Sequence, residues 1–512
     1  MTRNLLFPAF AFLALVTIVG PSRLGAAESA KVTVQWDKVV RVSKTNASLL
    51  VVINPMYRRG SPIHDAIFKS LRDLGADCVA HLGWYPYPKL AVAELEPPKD
   101  GKTSWDFSLI DPIMMDFFEA TRGHPVMVNF STIPQWMFKT PNPVPYPPDP
   151  DQVSWTYQQG TELRDPTLKE LADYYARLAG WYTKGGFTDE YGKWHESGHH
   201  FKIDYWGVLN EIEIEHFTSP QDYTARYDAI VAAVRQVAPE MKFVGLMLAL
   251  PTKYPQYFEY FLNPKNHQPG IPMDVVAYHF YAVPSADQTH SVHHQYTVFD
   301  MAEQFLTAVR YIELIRQRLS PGTATMVNEL GILLPEDFAQ ALPGYVYRPV
   351  DDSFRNRYGA LYAFIFAELT RLGIDVACET QLVGFPSQFP SATMIDWETG
   401  KLNATYWVLK LLRENVGPGD KVAEARVDMP SVAFLQPAYI HATGFVKPDG
   451  TRKGLLVNKR ERAFDVTIPE ARGATVQVVD LTTRSNPPAS SRLEGETFTL
   501  QGMGVAVVTL PK

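Results

Sequence analysis

Tyr205-Trp206-Gly207-Val208-Leu209-Asn210-Glu211 is an apolar strand that stops on an Asn-Glu pair, and Thr325-Met326-Val327-Asn328-Glu329-Leu330-Gly331 is a second run of the same kind. Around them, from about Leu49 onward, short β-branched runs alternate with longer amphipathic stretches, the pattern of a parallel α/β fold. Eight strands are predicted: Leu49–Asn54, Asp77–His81, Pro125–Ser131, Asp204–Leu209, Lys242–Met247, Asp274–His279, Thr323–Asn328 and Ile374–Glu379. The two runs that end on Glu are the fourth and the seventh. Leu168–Tyr182, Gln221–Ala238, Met301–Arg318 and Phe354–Arg371 carry apolar residues at three- and four-residue spacing and read as helices between strands. Asp111-Pro112 and Asp165-Pro166 have the cap-then-proline order that opens helices. Eight β/α units within about 370 residues fit a closed (β/α)8 TIM barrel with insertions. An open doubly wound sheet would carry a Gly-rich phosphate turn after its first strand, and Asn54-Pro55-Met56-Tyr57 is not one.

Outward from the barrel the texture changes. After a last helix around Asn403–Glu414, residues 432–512 give short alternating runs, among them Gly454–Val457, Phe464–Ile468, Thr475–Val479, Thr497–Leu500 and Gly504–Leu510. Val32, Val34 and Trp36 alternate in the same way ahead of the barrel. The expected organisation is a signal peptide over 1–27, an N-terminal strand over 28–47 that joins an accessory β-sandwich, a catalytic barrel over 48–416 and the rest of the sandwich over 417–512. The signal reading rests on Arg3, the apolar stretch Leu5–Val19 and the small residues Gly25-Ala26-Ala27, and it implies a secreted or periplasmic protein. An uncleaved anchor is disfavoured because the stretch is short and Pro8 interrupts it.

In 512 residues, Lys plus Arg total 48 against 55 Asp plus Glu, and no basic run tracks phosphates, so nucleic acid is not an expected partner. No later segment reads as transmembrane. Aromatic residues reach 12%, and rings with polar tips suit the binding of sugars. The two cysteines, Cys78 and Cys378, sit in apolar strand-like runs and are expected to be buried free thiols, with pairing in an oxidising compartment as the alternative. Three long loops, Lys139–Gly160 with six prolines, Val283–Phe299 and Leu333–Ser353, follow strands three, six and seven. They belong on the C-terminal face, where barrel enzymes do their chemistry. Thr183–Lys202 precedes strand four and belongs on the opposite face.

Glycoside cleavage needs two carboxyl groups, one protonated to donate to the leaving oxygen and one ionised to attack the anomeric carbon. Strand ends of a barrel hold such groups rigidly over one cleft. Tyr278-His279-Phe280-Tyr281 ends the sixth strand, and alternation puts His279 and Tyr281 on one face, where a phenol can hydrogen-bond a carboxylate and keep it ionised.

With an Asn-Glu closing strand four, a Glu closing strand seven and His-x-Tyr on strand six, the sequence resembles the clan A glycoside hydrolases. That resemblance implies that Glu211 is the acid/base, Glu329 the nucleophile and Asn210 a partner of the sugar 2-hydroxyl. Within the clan it is most similar to glycoside hydrolase family 39, which includes β-xylosidases and α-L-iduronidases. The likeness runs through Trp105-Asp106-Phe107-Ser108 and Asn129-Phe130-Ser131-Thr132-Ile133-Pro134-Gln135-Trp136, and family members also carry a β-sandwich beside the barrel. The implied activity is retaining hydrolysis of an oligosaccharide or polysaccharide without cofactor or metal, with exo-action on xylosides ahead of endo-action. A non-catalytic carbohydrate-binding barrel is the alternative. Two departures bear on sugar specificity. Val79-Ala80-His81-Leu82-Gly83-Trp84 stands where the clan has an Arg at the end of strand two, and Glu379-Thr380-Gln381 where it has a Trp at the end of strand eight. His81, Trp84, Trp136 and Trp397 are therefore the expected further sugar contacts. Glu213 and Glu215 follow no Asn at a strand end and are set aside. His195, His199, His200, His290, His293 and His294 lack a metal-binding frame and read as solvated loop histidines.

The mature chain is expected to begin near Glu28. N-terminal sequencing of the exported protein checks this, and retention of residues 1–27 would overturn it.

Overall fold

A computed structural model of the chain describes residues 28–140, 145–155, 157, 160–284, 294–342, 344–347, 349–429 and 438–511. The expected signal segment, together with His290 and His293, lies outside them. Strand β1 (Glu28–Val42) precedes the barrel. The barrel closes from eight parallel strands: β2 (Asn46–Val52), β3 (Val79–Gly83), β4 (Val126–Phe130), β7 (Tyr205–Gly207), β8 (Lys242–Leu248), β9 (Val275–Ala282), β10 (Ala324–Ile332) and β11 (Val376–Thr380). A hairpin of β5 (Gly186–Thr188) and β6 (Trp194–Glu196) fills the insertion ahead of β7. Helices α1 (His64–Leu74), α2 (Ile110–Ala120), α3 (Lys169–Thr183), α4 (Pro220–Val237), α5 (Gln256–Phe261), α6 (His294–Leu319), α7 (Asp352–Leu372) and α8 (Ala404–Asn415) complete the β/α units.

The period-2 alternation of the strands divides them between two cores. Cys78, Ala80 and Leu82, with Met127, Val244, Ala277, Met326 and Cys378, fill the barrel interior. Val79, Val128, Val276 and Val327 point outward into the layer beneath the helices. Both cysteines are free and buried.

Beyond α8 come β12 (Lys421–Asp428), β13 (Ile440–Val446), β14 (Arg452–Asn458), β15 (Phe464–Thr467), β16 (Thr475–Val479), β17 (Ala489–Arg492), β18 (Thr497–Leu500) and β19 (Val505–Thr509). With β1 they make one nine-stranded sheet in the order β17-β16-β19-β14-β13-β12-β1-β15-β18. The sheet curls until its halves face each other across a core of its own, with Ile440, Leu456 and Val508 on one side and Val32, Phe464 and Leu500 on the other. β1 is the hinge of that curl, antiparallel to β12 and parallel to β15. The opposite face of β14 and β19, through Leu455, Val457, Val505 and Val507, joins the core that surrounds the barrel.

Two expectations need correcting here. The stretch Val283–Phe299 is not all loop, because α6 begins at His294, which is buried with Val298 and Phe299 rather than solvated. Asp111-Pro112 does not open α2, whose N-cap is Leu109; Asp111 instead accepts hydrogen bonds from Trp181 and Tyr182. No helix among the described residues is long and apolar enough to cross a membrane.

Because Val32 is sealed in the inner core of the sheet while Val40 on the same strand is 46% exposed, the two should respond differently to truncation. Val32→Ala is expected to cost roughly 2–3 kcal/mol, from lost burial plus a residual cavity. Val40→Ala should cost close to nothing. Denaturant unfolding of the purified variants measures both.

Candidate active site

On β9 the alternation is regular: Val275 and Ala277 face the barrel interior, Val276, Tyr278 and Phe280 face out, and His279 and Tyr281 therefore turn inward at the C-terminal end. On β10 simple alternation would fail. Met326 points in and Val327 out, so a regular strand would send Asn328 in and Glu329 out. A break in register between Val327 and Glu329 corrects this. Val327 pairs with Tyr278 and Glu329 with the adjacent His279, which leaves Asn328 as the extra residue. Such a bulge re-aims a side chain at the price of one unpaired residue, and here it swings Glu329 into the barrel mouth.

β7 delivers the second carboxyl group differently. Its strand stops at Gly207, where a Cβ would press on Asn129 and on the methyl of Met247, each at 2.8 Å, so only glycine allows that approach. Leu209 and Glu211 then take left-handed backbone conformations, φ 65° and 42°, in a region that non-glycine residues occupy only when their surroundings hold them. The Glu211 amide donates to Met247 O on the neighbouring strand at 3.0 Å, and Asn129 Nδ2 donates to Leu209 O at 2.9 Å, which fixes the turn.

The two carboxyl groups meet around one imidazole. His279 Nδ1 lies 3.0 Å from Glu211 Oε1 and 3.5 Å from Glu329 Oε2. The contacting atoms of Glu211, His279 and Glu329 all lie within 4.8 Å of one another. Tyr281 donates its hydroxyl to Glu329 Oε2 at 2.7 Å. Burial pushes both carboxyl groups up, each to about 7. For Glu329 the His279 ring pulls against that rise, the charge of Glu211 adds to it, and the bond from Tyr281 opposes it. His279 is itself pushed down by burial, so the ring is neutral near pH 7.

Desolvation leads in holding Glu211 protonated, and a third carboxyl group takes part. Glu215, set aside on sequence grounds, hydrogen-bonds Glu211 and draws it back down. Its own pKa is driven well up, first by burial and then by the Glu211 charge. Trp84 Nε1 donates to Glu215 Oε1 at 2.6 Å, and Asn210 Nδ2 reaches the same oxygen at 3.5 Å. Asn210-Glu211-Ile212-Glu213-Ile214-Glu215 alternates like a strand, which hid this. The chain instead coils, with the amides of Ile214 and Glu215 both donating to Glu211 O at 2.9 and 2.7 Å, so that the fourth residue onward rather than the second shares the face of Glu211. Glu213 turns away and accepts from the Leu250 amide at 2.8 Å.

Asn210, Glu211, Glu215, Tyr281 and Glu329 line a cavity of about 810 Å³ in the barrel mouth, with Trp84, Tyr85, Trp155 and Phe389 on its walls. Three predicted contacts are elsewhere. His81 lies on the outward face of β3 and packs against Phe117 and Phe130, 5.4 and 5.7 Å between ring centroids. Trp136 is held aside by its bond to Glu94 O and by Arg164 over its ring. Trp397 meets Tyr347 in a separate groove, 4.9 Å between ring centroids. His195 and His199 pair with Asp189 and Asp111 rather than standing free in solvent. Glu211, His279 and Glu329 are also ligand types that suit divalent ions, although the Glu329 Oε2 atom is already bonded to Tyr281.

No family model matches this chain, and no curated protein matches it in sequence. Its fold does have relatives among solved structures. A GH51 arabinofuranosidase from Xanthomonas axonopodis pv. citri superposes with a TM-score of 0.63 at 14% identity, over 94% of this chain and 100% of that one. A glucosidase from Croceicoccus marinus superposes with a TM-score of 0.59 at 13% identity, over 94% and 99%. A GH30 endoxylanase from Clostridium papyrosolvens C71 gives 0.53 at 12% identity, over 94% and 100%. The architecture, a TIM barrel with an accessory β domain, is the one these glycoside hydrolases use.

A carboxyl group whose pKa rises from its unfolded value to about 7 on folding binds more protons in the native state between roughly pH 4.5 and 7, so its contribution to stability falls as pH rises through that window. Glu329→Gln should therefore leave stability near pH 4 almost unchanged and raise it at pH 8 by on the order of 1–3 kcal/mol. Thermal unfolding at the two pH values checks the sign. Equal shifts at both would refute the electrostatic account.

Proposed function

We propose that this chain is a retaining glycoside hydrolase in which Glu211 is the general acid/base and Glu329 the nucleophile. The observation that carries the reading is the approach of one oxygen from each carboxyl group to within 4.8 Å around His279, at the ends of the fourth and seventh barrel strands. Inverting enzymes hold their carboxyl groups about 6.5–9.5 Å apart to admit a water, and retaining ones about 5–5.5 Å. The titanic range of sugars that such barrels take is narrowed by charge. Among the described residues lining the cavity none is Lys or Arg, so a uronate would find no cationic partner and a neutral glycoside is favoured. Within the clan the reading leans to the family 39 pattern and to exo-action on short glycosides of the xyloside type. An exported protein, begun by the segment 1–27, fits an enzyme that meets glycosides outside the cell.

In the first step protonated Glu211 gives its proton to the leaving oxygen as a Glu329 oxygen bonds to the anomeric carbon and the glycosidic bond breaks. Tyr281 holds the Glu329 oxygen in line and favours its ionised form. In the second step Glu211, now ionised, takes a proton from water, the hydroxide oxygen bonds to the anomeric carbon, and Glu329 leaves. Two inversions restore the starting configuration. Asn210, beside both carboxyl groups, is placed to hold the 2-hydroxyl.

A panel of nitrophenyl glycosides should reveal turnover, and proton NMR of the first product should show the anomeric configuration of the substrate. Glu329→Gln should abolish turnover of every substrate. Glu211→Ala should lower kcat/KM for poor leaving groups by roughly 10²–10⁴-fold, spare the first step for activated aryl glycosides, and be rescued by azide. Inverted product would overturn the pairing, and binding of sugars without any turnover would assign the chain as a non-catalytic carbohydrate-binding barrel.

A further inference from the structure

Among the described lining residues the ionisable side chains gather in one place. Asn210, Glu211, Glu215, Tyr281 and Glu329 stand together there, and the rest of the lining mixes apolar Leu250, Val283, Leu333 and Phe389 with polar Trp155, Thr161 and Gln381. Gln340 accepts from the Phe389 amide and Gln381 donates to Gln388 O, while Trp155 Nε1 is buried without a partner. The lip is apolar and lies open. Phe217 is 69% exposed and Phe338 54%, both lining the cavity, and Leu342, just past the lining residue Ala341, is 62% exposed. Large apolar side chains gathered this way at a concave site mark a surface that meets an apolar ligand.

Their position relative to the chemistry gives the lip a side. A general acid stands next to the oxygen that leaves, so the aglycone departs past Glu211. The chain that continues from Glu211 carries Ile214 and Phe217 to the cavity, and the loop after Glu329 carries Phe338, whose ring meets that of Phe389 at 5.9 Å between centroids. A second sugar ring resting on Ile214, Phe217 and Phe338 would find no hydrogen-bond partner in those hydrocarbon side chains, a penalty that an apolar group does not meet.

Resting on the glycosidase reading above, we infer that the leaving group is a large apolar aglycone, an alkyl or fused-ring body on a neutral sugar, and that Phe217 and Phe338 bind it. The test uses the full-length protein and a series of alkyl glycosides of the sugar accepted in the nitrophenyl panel, from methyl to decyl, each below its micelle threshold. kcat/KM should climb roughly threefold to fourfold per added methylene over the first several carbons. The Phe217→Ser/Phe338→Ser double variant should flatten that slope, and because the slope is a ratio between substrates it is insensitive to any loss of activity shared by all of them. Oligosaccharides of the same sugar should be poorer substrates than the octyl glycoside. Turnover with a flat or falling slope, or a slope that the double variant leaves unchanged, would overturn this inference and leave the glycosidase assignment standing. A slope seen only when the glycosides are carried in phosphatidylcholine vesicles would overturn it in favour of a lip that docks on membranes. Absence of turnover on every glycoside would remove both.

Discussion

Two acidic groups brought within 4.8 Å of each other and largely stripped of water repel one another and resist ionising, and the rest of the barrel mouth is arranged to hold them there regardless. His279 sits between them, Tyr281 braces one and Glu215 the other. None of these contacts would survive on a mobile loop. Glu329 is therefore inside a sheet, aimed by a bulge, and Glu211 is on a left-handed turn whose amide is pinned to the next strand. The strain and the unfavourable charge are offset by the burial of aromatic and aliphatic side chains throughout the layer around the barrel.

Much of this is legible in the sequence, and the parts that are not have identifiable causes. Parallel barrel strands are buried on both faces, so all eight appear as apolar runs that punctuation and the intervening helices separate. Glu211, Glu329, Asn210, His279, Tyr281 and Trp84 come together as the spacing implies. Glu215 was hidden because alternation of Ile and Glu imitates a strand where the chain in fact coils. His81 was placed wrongly because its neighbours Ala80 and Leu82, not it, take the inward face. For Glu329 the alternation by itself points the wrong way, and only the likeness of strand ends to a known pattern put it in the mouth. β12, β13 and β17 escaped notice because Lys421–Asp428 is rich in charge, His441, Thr443 and Gly444 interrupt the apolar residues of Ile440–Val446, and Ala489–Arg492 is polar and exposed, so none carries a clear apolar stripe.

The accessory sheet is tied to the site through α7. Arg357 pairs with Glu461 in the turn between β14 and β15, Arg355 donates to Ser391 O and Thr393 O behind the cavity wall, and Tyr358 donates to Thr380 O at the end of the eighth barrel strand. Among the described residues the sheet thus buttresses the wall of the cavity without lining it.

The place of β1 in that sheet has a consequence for how the chain must come together. A strand made of residues 28–42 finds its partners at 421–428 and 464–467, so the whole barrel lies in sequence between two neighbours in space. Contacts of such long separation form late, since the loop they close is almost the entire protein. A chain emerging from its N-terminus would carry β1 with both edges unpaired until nearly the last residue is made, and the molecule is fastened by its beginning and its end together, like a clasp that closes after the necklace is strung.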